Sequence, residues 1–291
     1  MGNSEVSMKV SLLMNAINVS GNAILIYGFH CGTEGVAIPT LVSRFVAAFI
    51  IIKLLLKDNW SLHLERTFRF NPDWSMIRKI LSVGIPNGLE NSMFQLGKVL
   101  VLSLVSTFGT YAIAANAVSN VITLFSILPG QAICLAVTTV IARCVGAGDY
   151  EQAKYYNKKL ILLTHIGMAI TIFIVFITLP FILKVYNLSE AASEATRHII
   201  WFHGFCAILI WAESFTLPAT FRACGDAKAC MIISTVSMWI FRVGASYILG
   251  KNLGLGVFGV WVAMIIDWAF RSLLFGIRYF SGKWKKHALV S

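Results

Sequence analysis

Charged residues are scarce in this sequence. Only 13% of its 291 residues are Asp, Glu, Lys or Arg, and 57% are hydrophobic, whereas soluble globular domains carry about 25% charged residues. This shortage excludes an ordinary soluble domain. The sequence has instead a series of apolar runs, each of about 20 residues and so long enough to cross a bilayer. Eight such runs occur, at 9–28, 34–56, 80–107, 113–141, 160–183, 199–221, 229–250 and 256–280. We therefore predict an all-α polytopic membrane protein with eight transmembrane helices.

The motifs of common active sites are missing as well. The sequence has no GxSxG elbow, no GK[ST] phosphate loop and no CxxC pair. A membrane enzyme would need a nucleophile near a base, or clustered histidines. His198 and His203 are five residues apart, which places them on different faces of a helix and makes a poor metal pair. We expect neither an enzyme nor a bound cofactor. The opening MGNSEVSMKV also lacks the basic region of a secretory signal peptide.

The net charge is +11, and the basic residues are concentrated in alternate connections between the spans, that is, on one side of the membrane. One set of alternate connections holds only Lys184, Arg197 and Lys251. Most other Lys and Arg residues lie in the remaining connections, at 57–79, 143–159, 222–228 and 278–286. Basic connections tend to stay in the cytoplasm, so we expect both termini there and a multi-pass protein of the plasma (inner) membrane. The pattern indicates a lipid bilayer, and not nucleic acid, as the partner of the basic residues.

Two segments of the sequence repeat each other. GNSEVSM starts at Gly2 and enters the first span, and GDAKACM starts at Gly225 and enters the seventh, an offset of 223 residues. Six spans lie within that offset, and an even number preserves orientation, so the repeats are parallel.

The repeat predicts how the chain is organised. Residues 1–56 would be the last two helices of an N-terminal lobe, 57–78 a cytoplasmic linker, and 79–291 a complete six-helix lobe with a basic tail. Four helices of the first lobe would then be missing, and we interpret the chain as a fragment or truncated reading frame.

The third span carries a polar stripe. Its members follow helical spacing and share one face; they are Asn87, Glu90, Asn91, Phe94, Gln95 and Lys98. A charge near the bilayer centre costs about 2.5 to 3.5 kcal/mol, so the stripe must face protein or a watery cavity. We predict that Glu90 binds the coupling ion, either a proton or Na⁺; a structural, hydrogen-bonded Glu90 is the alternative. Lys98 either reaches the outer interface or pairs with an acid.

Later spans add further candidates. Asn116 and Asn120 lie on one face of the fourth span, where such residues either tie helices together or line the cavity. Trp211 and Glu213 lie in the sixth span, and Glu213 is the second candidate for binding a proton or cation.

The last two spans contain charges of opposite sign. Arg242 and Asp267 both fall near mid-depth, so we predict a buried ion pair between them, with Arg271 one turn away. Arg44 in the second span has no acid on its own helix, so its partner is either Glu90 or a residue of the missing part.

Seven stretches, taken in order, resemble the multidrug and toxic compound extrusion (MATE) family. They are GNSEVSM, GxxGVAIPTLVSR, GIPNGLENSMFQLGK, FGTYAIAANAVSN, FTLPATFRACGDAK, MWIFRVGASYILG and GVWVAMIIDWAFR. The resemblance implies a twelve-helix protein of two lobes, working as a monomer by alternating access. It implies export of bulky, often cationic, organic compounds in exchange for H⁺ or Na⁺. Family members carry acids in their seventh and tenth helices, which Glu90 and Glu213 occupy here.

On that basis the substrate would lie between the lobes, against Phe94, Trp211 and Phe215, beside a carboxylate. Two other interpretations stay open. One is a flippase for a lipid-linked sugar on a related helical plan, which would favour a strongly basic cavity. The other is a remnant that no longer transports.

Overall fold

The computed structural model describes residues 4–56 and 72–287. Over these ranges the chain is helical, and the α-helices are α1 (Ser4–Ala23), α2 (Glu34–Leu55), α3 (Trp74–Ser106), α4 (Thr110–Gly146), α5 (Tyr150–Tyr186), α6 (Glu190–Trp211), α7 (Leu217–Ala223), α8 (Ala227–Ser237) and α9 (Gly256–Phe280). Four π-helical segments extend or join them, at Ile24–Gly28, Ala212–Thr216, Met238–Gly244 and Tyr247–Asn252. A short 3₁₀ helix, Lys283–His287, follows α9.

The described helices confirm the predicted all-α membrane fold. Seven helical segments are long and apolar enough to cross a membrane. The eighth is α3, which is 33 residues long and carries the polar stripe. A π segment joins α6 to α7 in one span, Glu190–Ala223, and π segments extend α8 to Asn252.

The chain divides into two compact units, Met1–Pro72 and Asp73–Ser291. In the first, α1 and α2 pack closely: Nδ2 of Asn18 donates to Oγ1 of Thr40 at 2.9 Å. Gly21 is also needed there, because a Cβ at that position would lie 2.7 Å from Cβ of Pro39.

The second unit begins with a defined helix start. The side chain of Asp73 accepts hydrogen bonds from the backbone N–H groups of Ser75 at 2.9 Å and Met76 at 3.1 Å, which caps α3. Because α3 starts at Trp74, residues 74–78 of the predicted 57–78 linker are helical; residues 57–71 lie outside the described part of the chain.

The core of the second unit lies where α6 and α9 meet α3, α4 and α5. It contains buried aromatic residues, among them Trp211, Trp261 and Trp268. Another apolar cluster includes Phe221, Phe275 and Trp284. Two of the π segments contain charged residues within a span, Glu213 in Ala212–Thr216 and Arg242 in Met238–Gly244. Such local insertions in α-helices occur frequently at functional sites.

Candidate functional site: an aromatic cavity in the six-helix unit

The second unit contains a partly open cavity of about 530 Å³, within the 300 to 1,000 Å³ typical of pockets for small organic ligands. Residues from α3, α4, α6, α9 and two π segments line it; they are Phe94, Lys98, Asn120, Thr123, Leu124, Ile127, Gln131, Cys134, His203, Trp211, Phe215, Arg242, Trp261, Met264 and Trp268. An adjoining space of about 230 Å³ shares Lys98, Asn120 and Arg242 and reaches Asn116.

One wall of the cavity is a run of aromatic rings. Trp211 stacks on Phe215 with ring centroids 5.1 Å apart, and Phe215 meets Trp268 edge to face at 5.3 Å. Gly130 on α4 makes room for Trp211, since a Cβ there would lie 2.3 Å from the indole ring. These contacts hold the rings in place before any ligand arrives, which reduces the entropy lost on binding.

The polar side chains of α4 both tie helices together and line the cavity, the two roles that the sequence analysis left open for them. Oδ1 of Asn116 accepts a hydrogen bond from Nε1 of Trp261 at 3.1 Å, which ties α4 to α9. Asn120 donates to the carbonyl oxygen of Asn116 at 2.7 Å and also lines the cavity.

Three cationic side chains surround one ring, that of Phe94. Nζ of Lys98 lies 5.1 Å from the ring centroid, and Cζ of Arg242 and Arg271 lie 5.3 and 5.9 Å from it. Arg271 also lies over Phe215, at 4.7 Å. Cation–π attraction of this kind contributes about 0.5 to 2 kcal/mol.

The predicted ion pair between Arg242 and Asp267 is wrong. In the described part of the chain, no nitrogen of Arg242 or Arg271 lies within 4.0 Å of a carboxylate oxygen of Asp267. Instead, Oγ of Ser237 donates to Oδ1 of Asp267 at 2.5 Å. Arg242 donates to Sδ of Met264 at 3.1 Å, which is a weak acceptor. The prediction rested on the similar depth of the two residues in the membrane. Their contacts depend also on how each helix is rotated about its axis, which depth does not give.

The stripe on α3 does not face a single surface. Phe94 and Lys98 line the cavity, whereas the buried Glu90 lies against α7, where Nη2 of Arg222 donates to its two oxygens at 2.8 and 2.9 Å. Asn91 and Gln95 are exposed, and Nδ2 of Asn91 bonds back to the carbonyl oxygen of Asn87 at 2.9 Å.

The surroundings of Glu90 suit a cationic side chain better than Na⁺. Arg222 already supplies the positive charge and the hydrogen-bond donors that both carboxylate oxygens accept. Sodium binding there would require displacing the guanidinium, so the donor set does not fit the Na⁺ site predicted near Glu90.

Glu213 also lies away from the cavity lining. Its Oε1 is 3.0 Å from Nε2 of His165 on α5. Nδ1 of His165 lies 2.7 Å from the carbonyl oxygen of Ile208, a group that only accepts, so Nδ1 carries a hydrogen. A hydrogen bond between Nε2 and the carboxyl group then needs one more hydrogen, on either the imidazole or the acid.

His165 and Arg222 did not figure in the sequence analysis. An ionisable residue within a membrane span is by default a functional hypothesis, and that rule could have found His165, which lies inside the fifth span. Arg222 gave a weaker signal, because an arginine at the end of a span is ordinary.

Comparison with known proteins agrees with this architecture. A model of the MatE family matches residues 86–248, more than half of the chain. A probable multidrug resistance protein NorM of Thermotoga maritima is 27% identical over 295 residues, covering 100% of this chain and 63% of that protein. The uncharacterized transporter YisQ of Bacillus subtilis is 26% identical over 291 residues. The match covers 97% of this chain and 63% of YisQ. The chain thus spans less than two thirds of the length of these relatives.

Solved structures show the same fold. A multidrug resistance MATE family transporter of the MOP superfamily, in its outward-facing conformation, matches with a TM-score of 0.87 at 20% identity. A MATE structure in the straight conformation also matches with a TM-score of 0.87 at 20% identity. Each covers 98% of this chain, which corresponds to 64% of the other.

Proposed function

The chain belongs to the MatE family, and we propose that it forms part of a secondary antiporter that exports organic compounds from the cytoplasm in exchange for a coupling ion. The family is one of transporters, which confirms the expectation that the chain is not an enzyme. The protein would act by alternating access in the plasma (inner) membrane, as a monomer at full length, with both termini in the cytoplasm. The sorting of basic residues between alternate connections supports that orientation.

The observation that carries the proposal is the aromatic cavity within the six-helix unit. Trp211, Phe215 and Trp268 provide flat apolar surfaces, and Asn120 and Gln131 add polar groups. Aromatic faces demand little shape matching, so they suit a range of planar organic substrates.

We propose a proton as the coupling ion, bound between His165 and Glu213. The carbonyl oxygen of Ile208 keeps a hydrogen on Nδ1 of His165, so the contact with Glu213 requires one extra proton. Release of that proton would leave a neutral imidazole nitrogen facing a carboxylate, two acceptors without a hydrogen between them. Loading and release would therefore change the bonding between α5 and the π segment Ala212–Thr216, which joins α6 to α7.

Export by this chain can be tested in bacteria that lack their own multidrug exporters. Cells expressing it should accumulate less of a fluorescent planar dye than cells with an empty vector, and collapse of the proton gradient should remove the difference. Accumulation equal to that of the empty vector would contradict the proposal and favour a remnant without transport activity.

A pair of tryptophan substitutions tests the role of the cavity. Asn120→Trp places a large side chain in the cavity and should abolish export. Leu162→Trp places the same side chain on α5, at an exposed residue away from the cavity lining, and should leave export unchanged. Equal export by both variants would show that the cavity is not on the transport path.

A further inference from the structure

The cavity carries more positive charge than negative charge, and its cationic side chains form no direct ion pair with any described residue. Lys98 and Arg242 both line it, and none of its described lining residues is acidic. In the described ranges, neither side chain lies within 4.0 Å of a carboxylate oxygen. The two carboxylates expected near the substrate are engaged elsewhere, Glu90 with Arg222 and Glu213 with His165.

A third cation reinforces this charge. Arg271 is only 3% exposed, and its Nε and Nη1 have no hydrogen-bond partner in the described part of the chain. It lies over Phe94 and Phe215, which both line the cavity. Two acids lie nearby: Glu90 is paired with Arg222, and Asp267 is bonded to Ser237 and touches none of the three cations. Because Glu90 and Arg222 neutralise each other, the three cations and the single carboxylate of Asp267 leave two positive charges in excess.

Unpaired charge inside a membrane span is costly, and it persists mainly where it serves a function. Arginine guanidinium groups remain charged in proteins and bind carboxylates, sulfonates and phosphates with directed hydrogen bonds. Trp268, also on the cavity wall, has a buried Nε1 without an acceptor. Lys98 and Arg242 line the cavity and can donate to the acidic oxygens of a ligand, whereas the nitrogens of Arg271 and Trp268 that have no described partner are buried and add positive potential to the wall.

We propose that the cavity binds organic anions: molecules with a flat aromatic body and an acidic group. The body would pack against Trp211, Phe215 and Trp268, and the acid would face Lys98 and Arg242. This inference deepens the proposed export function by giving the charge of its substrate, and it differs from the cationic substrates implied by the family resemblance.

Binding can be measured on the purified chain in nanodiscs of zwitterionic lipid, because three tryptophans line the cavity and should report a ligand by fluorescence quenching. The probes are 2-naphthalenesulfonate, the neutral 2-naphthalenesulfonamide and the cation (2-naphthylmethyl)trimethylammonium. The sulfonate should bind at least about tenfold more tightly than either of the others, as loss of a charge-assisted hydrogen bond implies. Equal or tighter binding of the cation would overturn the proposal.

Substitutions of Arg242 test whether the preference for the sulfonate arises in the cavity. Arg242→Gln should weaken sulfonate binding by about tenfold or more and leave sulfonamide binding nearly unchanged, and Arg242→Lys should restore much of the loss. Arg197→Gln, on an exposed residue outside the cavity lining, is the matched control and should bind as the parent does. If Arg242→Gln keeps the full preference for the sulfonate, or if Arg242→Lys restores none of the loss, the proposal is wrong.

The same acidic chemistry could come from a lipid, as in a lipid-linked sugar, or from a soluble compound. Adding a polyprenyl phosphate to the nanodiscs distinguishes the two sources. Competition with the sulfonate would support the anion site and identify a lipid phosphate as its ligand, whereas no competition would support a soluble anion. Binding does not require transport, so a chain that fails to export dye in cells can still pass or fail this test.

Discussion

Nη2 of Arg222 lies 2.8 Å from Oε1 and 2.9 Å from Oε2 of Glu90, so a single nitrogen at the end of the sixth span holds both carboxylate oxygens of the third. The two residues are 132 positions apart in the chain. Glu90 is 7% exposed, and Nε of Arg222 has no partner in the described residues. This pair links α3 to α7, which favours the structural alternative stated for Glu90; its ion-binding role stays a prediction.

Removing either member of this pair should destabilise the protein. Glu90→Gln leaves the partly buried guanidinium of Arg222, whose side chain is 26% exposed, without its counter-ion. Breaking a fully buried pair costs about 3 to 5 kcal/mol, and this pair should cost less. The double variant Glu90→Gln with Arg222→Gln should regain much of that loss, as measured by the Tm of the purified chain. If Glu90 is instead the coupling acid, Glu90→Gln should abolish ion-dependent export without lowering the Tm, and normal ion dependence would exclude that role.

The contact between His165 and Glu213 predicts a pH-dependent step in transport. Glu213→Gln keeps a donor to Nε2 of His165 but cannot release a proton, so export should lose its dependence on the imposed pH gradient while the fold is kept. Glu194→Gln, at an exposed residue of α6, is the control and should retain the gradient dependence. The measurement is dye export from cells or vesicles at several imposed pH differences; an unchanged dependence in Glu213→Gln would remove this site from the coupling mechanism.

Two glycines of α9 should respond oppositely to alanine. A Cβ at Gly259 would lie 2.8 Å from the backbone carbon of Leu249 and 2.9 Å from N of Gly250, and backbone atoms cannot move aside easily. Gly259→Ala should therefore cost about 1 to 3 kcal/mol. Gly276 has no neighbour within 4 Å of its added Cβ, so Gly276→Ala should gain about 0.5 to 1 kcal/mol from better helix formation.

Thermal unfolding of the two alanine variants side by side checks this prediction. The Tm should fall for Gly259→Ala and rise slightly for Gly276→Ala. A similar shift for both would mean that α9 does not approach the π segment Tyr247–Asn252 as closely as described.

Cys224 should react slowly with thiol reagents. It lies in the turn between α7 and α8, it is 1% exposed, and burial, aided by the nearby Asp226 carboxylate, raises the pKa of its thiol to about 12. The thiolate is the reactive form, so at pH 7 to 8 almost none is available. In variants that keep a single cysteine, maleimide should label the partly exposed Cys31 much faster than Cys224; equal rates would contradict the burial of this turn.

The sequence by itself determined the membrane fold, the positions of the spans and the family. These features depend on the length of apolar runs and on the order of local motifs, both of which can be read along the chain. The predicted substrate contacts Trp211 and Phe215 both line the cavity, because residues four apart along a helix share a face. Phe94, on α3, lines it as well, but its position opposite them follows from helix packing.

Only the tertiary structure decided the partner of each charged side chain. Those partners depend on how each helix is rotated about its axis. The π segments Ala212–Thr216 and Met238–Gly244 change that rotation for every residue that follows them in the same span. Glu90 therefore meets Arg222, Glu213 meets His165, and Arg242 and Asp267 do not pair. The charge of the cavity follows from these long-range contacts, which no pattern within a single span contains.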